Sequence, residues 1–216
     1  MNMAEDLSDY RKSYEKSELT IAQSENNPFE QFRKWFKETE AIAGDIEVNA
    51  MTVSTIGLDG FPKSRVVLLK SYDENGFVFY TNYDSEKGKA IAQNPNLCLS
   101  FFWPHLERQV IIKGRAEKVS EETSTAYFHS RPAGSQLGAW TSPQSEVIPD
   151  REFLENRLKE LEEKYSIGEI PKPPHWGGYL VVPTEFEFWQ GRPNRLHDRL
   201  RYTPGGVPWK LERLAP

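Results

Sequence analysis

The sequence predicts a mainly β protein with added helices (α+β), built on an antiparallel barrel rather than a doubly wound α/β sheet. Three observations carry that expectation. Short apolar runs separated by turn residues fill most of 50–118, helical patterning gathers in a block from about 120 to 165, and strand-like runs return from 179 to the C-terminus. Helices inserted late, rather than alternating with strands, favour antiparallel pairing over parallel crossovers.

Taken in order, residues 1–27 are polar with little hydrophobic pattern and read as a mobile arm, followed by a single domain over 28–216. Asn27-Pro28 is a helix cap followed by proline at the first turn, and Phe29, Phe32 and Phe36 are spaced to share one face. "AMTVSTI", the turn "GLDG" and "FPKSRVVLLK" form a hairpin, and "DENG" turns into the strand "FVFYTN". Ser85 caps a short helix, "EKGKAIAQN", which Asn94-Pro95 ends. "LCLSFFW" and "RQVIIKGRAEKV" are two more strands, "EETSTAYFHS" and "PAGSQLGAW" two short helices meeting at Pro132. A charged helix at about 150–165 carries an apolar stripe of Phe153, Leu154, Leu158 and Leu161. After the proline-stiffened "GEIPKPPHWGG" come the strands "YLVVP", "EFEFWQ", "RLHDRLRY" and, past the turn "TPGG", "PWKLERL".

The bulk properties exclude several classes. A chain of 216 residues, 38% hydrophobic and 12% aromatic, suits one globular core, and no apolar run approaches the ~20 residues of a membrane span. The polar N-terminus lacks a secretory pattern, so a cytoplasmic protein is expected. The lone Cys98 sits among apolar neighbours and reads as core packing. A net charge of −5 argues against general nucleic-acid binding, so any anion site must be local. The four histidines lack metal-ligand spacing, and no P-loop, GxGxxG, HExxH or nucleophile elbow is present, so no metal is expected.

Four places could seat an anion. In "NRLHDRLRY", an extended strand would aim Arg195, His197 and Arg199 from one face, leaving Leu196, Asp198 and Leu200 on the other; a solvated outer face would read the same way. If Pro132 begins a helix, the free N–H groups beyond it, with Arg131, Ser135 and Tyr127, make a phosphate seat or a plain helical corner. Ser85 with Lys87 is a further helix start that ordinary capping explains equally. Arg65 and Lys70 bracket an apolar strand, and their spacing of five puts them on opposite faces of a regular strand, as two anion contacts or simply as its charged ends.

Taken together, "RVVLLK", "FYTNYDSEKG", "LERQV", "YFHSRPAGSQLGAW", "SPQS", "HWGGY", "EFWQG", "RLHDR" and "RLAP" closely resemble the pyridoxine/pyridoxamine 5′-phosphate oxidase family from about residue 28 to the end. The resemblance implies an FMN-binding split barrel, homodimeric with flavin at the subunit interface. It implies oxidation of pyridoxine 5′-phosphate or pyridoxamine 5′-phosphate by O₂ to pyridoxal 5′-phosphate. By the same resemblance, Arg65, Val66, Val67, Leu68, Leu69, Lys70, Tyr80, Thr81, Lys87, Gln109, Gln144, Ser145, Trp189 and Arg199 contact FMN. Lys70, Tyr127, Arg131 and Ser135 hold the substrate phosphate, and Arg195 and His197 flank the substrate ring as the catalytic pair.

On that basis Arg199 is expected at the pyrimidine edge of the flavin, stabilising its anionic reduced form, with Arg195 holding the substrate ring and His197 assisting proton removal. Glu86 departs from the basic residue that many relatives carry before the lysine of "SxKG", so it either points outward or weakens FMN binding. Arg11 and Tyr14 resemble arm residues that close over the substrate in some relatives. A non-catalytic flavin or vitamer binder and a nicotinamide-driven flavin reductase are the competing readings on the same barrel. The presence of both Arg195 and His197 argues against the non-catalytic binder.

Overall fold

The computed structural model describes residues 5–205 and 209–216. The elements are α1 (Pro28–Glu40), β1 (Ala50–Ile56), β2 (Pro62–Leu68), β3 (Ser71–Asp73), β4 (Gly76–Asn82), α2 (Glu86–Gln93), β5 (Asn96–Trp103), β6 (Arg108–Lys118), α3 (Glu121–Ser130), α4 (Ala133–Thr141), α5 (Arg151–Lys164), β7 (Trp176–Gln190), β8 (Asp198–Thr203) and β9 (Lys210–Leu214). The described residues pack as two compact units, one from Asn49–Ser100 and Ile112–Thr184, the other from residues up to Val48 with Phe101–Ile111 and Glu185–Pro216.

In the first of these, strands run in the order β2-β1-β5-β6-β7-β4-β3. β1 pairs antiparallel with β2 through Ala50↔Leu68 to Ile56↔Pro62, and its alternating burial sends Met51, Val53 and Thr55 inward. β4 pairs antiparallel with the start of β7, Phe77↔Val181 to Asn82↔Trp176. Ser85 caps α2 by accepting the Gly88 N–H at 3.2 Å. Gly88 is required there, since a Cβ would lie 2.1 Å from the Tyr83 carbonyl oxygen. Phe128, Leu137, Ile170 and Trp176 form an apolar cluster that Leu158 and Leu161 of α5 extend.

In the second unit, β7, β8 and β9 pair in sequence, Trp189 opposite Arg199 and Arg199 opposite Leu214. α1 buries Phe29, Phe32 and Trp35, with Phe36 only partly covered. Phe29 meets Phe186 edge-on at 5.1 Å, Phe32 meets Phe101 at 5.1 Å and Trp35 meets Phe188 at 5.3 Å. Each such ring removes enough apolar area from water to contribute about 1.5–3 kcal/mol. The segment before α1 is fastened to this unit: Leu19 is buried, its N–H donates to Asp198, and the Tyr202 hydroxyl donates to the Glu25 carbonyl.

Several expectations are corrected. "RLHDRLRY" is not one strand: residues 193–195 form a 3₁₀ turn, Asn194 and Arg195 have φ of +56° and +60°, and β8 begins only at Asp198. Leu200 is core, as expected, but Leu196 is 68% exposed, so the single ridge of Arg195, His197 and Arg199 does not exist as regular strand geometry. "YLVVP" and "EFEFWQ" are one strand, β7. Pro183 falls between the stretch paired with β4 and the stretch paired with β8, so its missing N–H costs neither ladder a bond. β2 ends at Leu68, which places Lys70 beyond the strand and removes the parity argument that set it opposite Arg65. Pro132 is the residue before α4 rather than its first. The turn "TPGG" and the start of "PWKLERL" lie partly outside the described residues.

Candidate functional site

A cavity of about 1010 Å³ opens in the unit formed by Asn49–Ser100 and Ile112–Thr184. Its lining presents five cations, Lys63, Arg65, Lys70, Lys87 and Arg131, against one carboxylate, Glu86. That volume is at the top of the roughly 300–1,000 Å³ typical of ligand sites, and the charge imbalance defines an anion site in an acidic protein.

The floor is set by Lys87, in the first turn of α2. Its ammonium donates to Thr81 Oγ1 at 2.7 Å and to Gln144 Oε1 at 2.9 Å. Burial, and then the nearby Arg65 charge, pull its pKa down from 10.5 to about 8. Arg65 donates to Thr55 Oγ1 at 2.8 Å and the Val53 carbonyl at 3.2 Å, and burial lowers its pKa also. Both cations are thus held in place with their charge poorly solvated, a state that an anion relieves. Glu86 pairs with Lys63 at 2.5 Å, so its charge is offset on the cavity rim rather than turned away from it.

The second seat is the α3–α4 corner. Arg131, Pro132 and Ser135 line the cavity beside Tyr127. The Arg131 guanidinium lies 4.6 Å above the Trp176 ring, and its Nη1 is buried without a hydrogen-bond partner among the described residues. A buried donor left idle costs about 1–3 kcal/mol, which an incoming oxyanion recovers. Tyr80 stacks on Tyr127 at 3.9 Å and on Trp176 at 5.5 Å, giving one wall an aromatic face. Ser145, on the 142–146 loop, holds a left-handed φ of +75°, local strain of a kind that gathers at ligand sites.

Of the residues expected around a flavin and a substrate phosphate, Arg65, Val66, Val67, Leu68, Lys70, Tyr80, Thr81, Lys87, Tyr127, Arg131, Ser135, Gln144 and Ser145 all line this one cavity. Leu69 does not. Its side chain is 4% exposed and its backbone N–H and C=O are both bonded to Asn49. Trp176 was missed as a site residue, although "HWGGY" marked its position; its role became visible only through the stack with Tyr80 and Tyr127.

Gln109, Trp189, Arg195, His197 and Arg199 belong to the other unit. There Trp189 and His197 have ring centroids 4.7 Å apart, and the Arg192 backbone N–H donates to His197 Nδ1 at 3.1 Å. A backbone N–H can only donate, so Nδ1 carries the lone pair and Nε2 the proton. Burial, then the Arg195 charge, lower the His197 pKa. Arg199 is already engaged, with Nε on Glu187 at 2.8 Å and Nη1 on the Ala215 carbonyl at 2.8 Å, and the Glu187 bond raises its pKa.

A mainly antiparallel sheet with helices added beside it, and a cation-rich cavity of this size within it, defines an anion-binding protein of the split-barrel class. Residues 37–165 match the pyridoxamine 5′-phosphate oxidase family and residues 176–216 match the pyridoxine 5′-phosphate oxidase C-terminal dimerisation region. The pyridoxine/pyridoxamine 5′-phosphate oxidase of Flavobacterium johnsoniae is 64% identical over 97% of this chain and 99% of its own length. Among solved structures, PhzG from Burkholderia lata, in complex with tetrahydrophenazine-1-carboxylic acid, superposes with a TM-score of 0.83 at 29% identity, over 92% of this chain and 98% of that one. An FMN-binding, oxidase-related protein from Nostoc punctiforme shares the fold at a TM-score of 0.68 and 17% identity, over 86% of this chain and 97% of that one. The chain belongs to the pyridoxine/pyridoxamine 5′-phosphate oxidase family, whose enzymes depend on FMN.

Proposed function

We propose that this chain oxidises pyridoxine 5′-phosphate and pyridoxamine 5′-phosphate to pyridoxal 5′-phosphate in vitamin B6 metabolism, as a cytoplasmic FMN-dependent homodimer with O₂ as the final acceptor. The alcohol and O₂ give aldehyde and H₂O₂; the amine additionally consumes water and releases NH₃. The observation that carries the reading is the idle, buried Nη1 of Arg131 in a cavity it shares with Lys70, Tyr127 and Ser135.

The donor set fits FMN: Lys87 and Arg65 for its phosphate, Thr81, Gln144 and Ser145 for polar contacts, and Val66, Val67 and Leu68 along the β2 end for the ring. FMN, when bound, supplies a two-electron acceptor. The protein's own work is position and field. Arg131, Lys70, Tyr127 and Ser135 clamp the substrate phosphate, turning remote binding energy into alignment of the reacting carbon. Arg195 holds the substrate ring, while Gln109, Trp189 and Arg199 complete the flavin contacts. With Nδ1 occupied by the Arg192 N–H, His197 acts as an Nε2–H donor to the substrate rather than as the group that takes its proton.

The test is to purify the chain, record its flavin spectrum, add pyridoxine 5′-phosphate in air and follow aldehyde and peroxide together. Equimolar appearance of both supports the oxidase. Flavin bleaching by NADH without aldehyde formation selects a reductase, and bound flavin with no turnover of either kind selects a non-catalytic binder.

A further inference from the structure

Glu107 is the most deeply buried carboxylate among the described residues, at 2% exposure, and it stands outside every role assigned above. It lies in the turn between β5 and β6 with φ of +56°, a left-handed conformation that a non-glycine residue keeps only where its surroundings require it. Its Oε2 accepts the backbone N–H of Glu15 at 2.9 Å and of Lys16 at 3.1 Å. The same turn accepts the Lys16 ammonium at the His105 carbonyl, and the Glu107 carbonyl receives the Gly191 N–H at 2.8 Å. One residue therefore ties the N-terminal segment to the end of β7.

The residue just before those two amides is Tyr14. Its ring meets Trp189 edge-on at 5.7 Å and His197 at 5.9 Å. It passes over Gly191 so closely that a Cβ there would lie 2.8 Å from Tyr14 Cβ and Cγ and 3.0 Å from Glu107 Cβ. Gly191 thus leaves the space in which the tyrosine and the carboxylate fit together. An acceptor of two consecutive N–H groups fixes both the place and the direction of the chain that carries them.

We infer that Glu107 is a positioning residue for the oxidation: it latches the N-terminal segment through the Glu15 and Lys16 amides so that Tyr14 packs on the Trp189–His197 pair, with Gly191 as the clearance. The inference rests on the oxidase reading for its kinetic consequence, but the latch itself is a physical claim that stands without turnover.

Two measurements on the FMN-loaded full-length protein test it. Tryptic cleavage after Lys16, followed without substrate, is expected to accelerate about tenfold or more in Glu107→Ala, and to return to the native rate in Glu107→Gln, whose amide oxygen still accepts. In steady-state kinetics, Glu107→Ala and Tyr14→Ala should each lower kcat/KM for pyridoxine 5′-phosphate about tenfold, mainly through KM, and the double variant should lose no more than either alone. Losses that multiply in the double variant, or a Glu107→Gln protein cleaved as fast as Glu107→Ala, would overturn the latch. Should Glu107→Ala fail to fold, Gly191→Ala gives the same reading from the other side: faster cleavage after Lys16 supports the inference and unchanged cleavage sinks it. Native turnover that fails altogether while Lys16 cleavage responds as stated would count against the oxidase and leave the latch intact.

Discussion

The cavity of Asn49–Ser100 and Ile112–Thr184 and the Trp189–His197 face of the other unit treat charge in opposite ways. In the cavity, cations outnumber carboxylates five to one, Lys87 is depressed to about 8 and Arg131 keeps an idle nitrogen. On the face, Arg199 is matched by Glu187 and Asp198 takes both Arg192 and Arg213. The first region concentrates positive charge that an anion would offset. The second pairs Arg199, Arg192 and Arg213 with carboxylates, although Arg201 Nε, on the same strand as Arg199, is buried without a hydrogen-bond partner among the described residues, and it presents one imidazole of fixed tautomer. Excess positive charge and a directed imidazole are thus carried by separate parts of the chain, and each can be altered alone.

The largest break should come from Arg131→Ala, which removes the idle donor: KM for pyridoxine 5′-phosphate should rise about 100-fold, the worth of a charge-assisted hydrogen-bond pair, with FMN affinity little changed. Lys87→Met is next. Because burial holds this lysine near 8, it is charged at neutral pH and loses its proton above that value, so FMN affinity in the native protein should fall by up to about tenfold per pH unit above pH 8. In Lys87→Met, affinity should already be about tenfold weaker at pH 7 and that slope should be gone, as fluorescence titration of FMN would read.

On the face, Arg195→Gln should raise the His197 pKa by less than about one unit, since burial is the larger cause and remains. A lowered histidine pKa keeps the ring neutral further into acid, so losing the arginine should move the ring's own titration to higher pH, measurable by NMR. The smallest effect belongs to Glu86→Gln. Its pair with Lys63 is largely exposed, at 42% and 57% for the two side chains, so FMN affinity should rise by less than about fivefold.

Much of this was legible in the sequence because it depends on local rules. Ser85 caps α2 and "AMTVSTI" is β1 to the residue, since a cap and an alternating half-buried strand need only near neighbours. The α3–α4 corner was readable for the same reason: Arg131, Pro132 and Ser135, close together in sequence, do line one cavity. What failed was parity. The every-second-residue argument for Arg195, His197 and Arg199 assumes an extended backbone, and two left-handed residues at 194 and 195 cancel it. Arg65 and Lys70 were placed on opposite faces by the same rule, although the strand stops between them. Long-range partners were out of reach entirely: nothing near Glu107 in sequence announces that it holds residues 15 and 16, nor does Lys63 announce Glu86.

An unpaired guanidinium nitrogen in a walled seat does not choose its oxyanion by shape alone. Sulfate or inorganic phosphate at the millimolar levels of common buffers should compete for the Arg131 corner, so the organic substrate will look a poorer ligand in phosphate than in an amine-sulfonate medium of equal ionic strength. Solution chemistry around this protein is therefore part of its apparent selectivity, and the choice of buffer becomes a measurement in its own right.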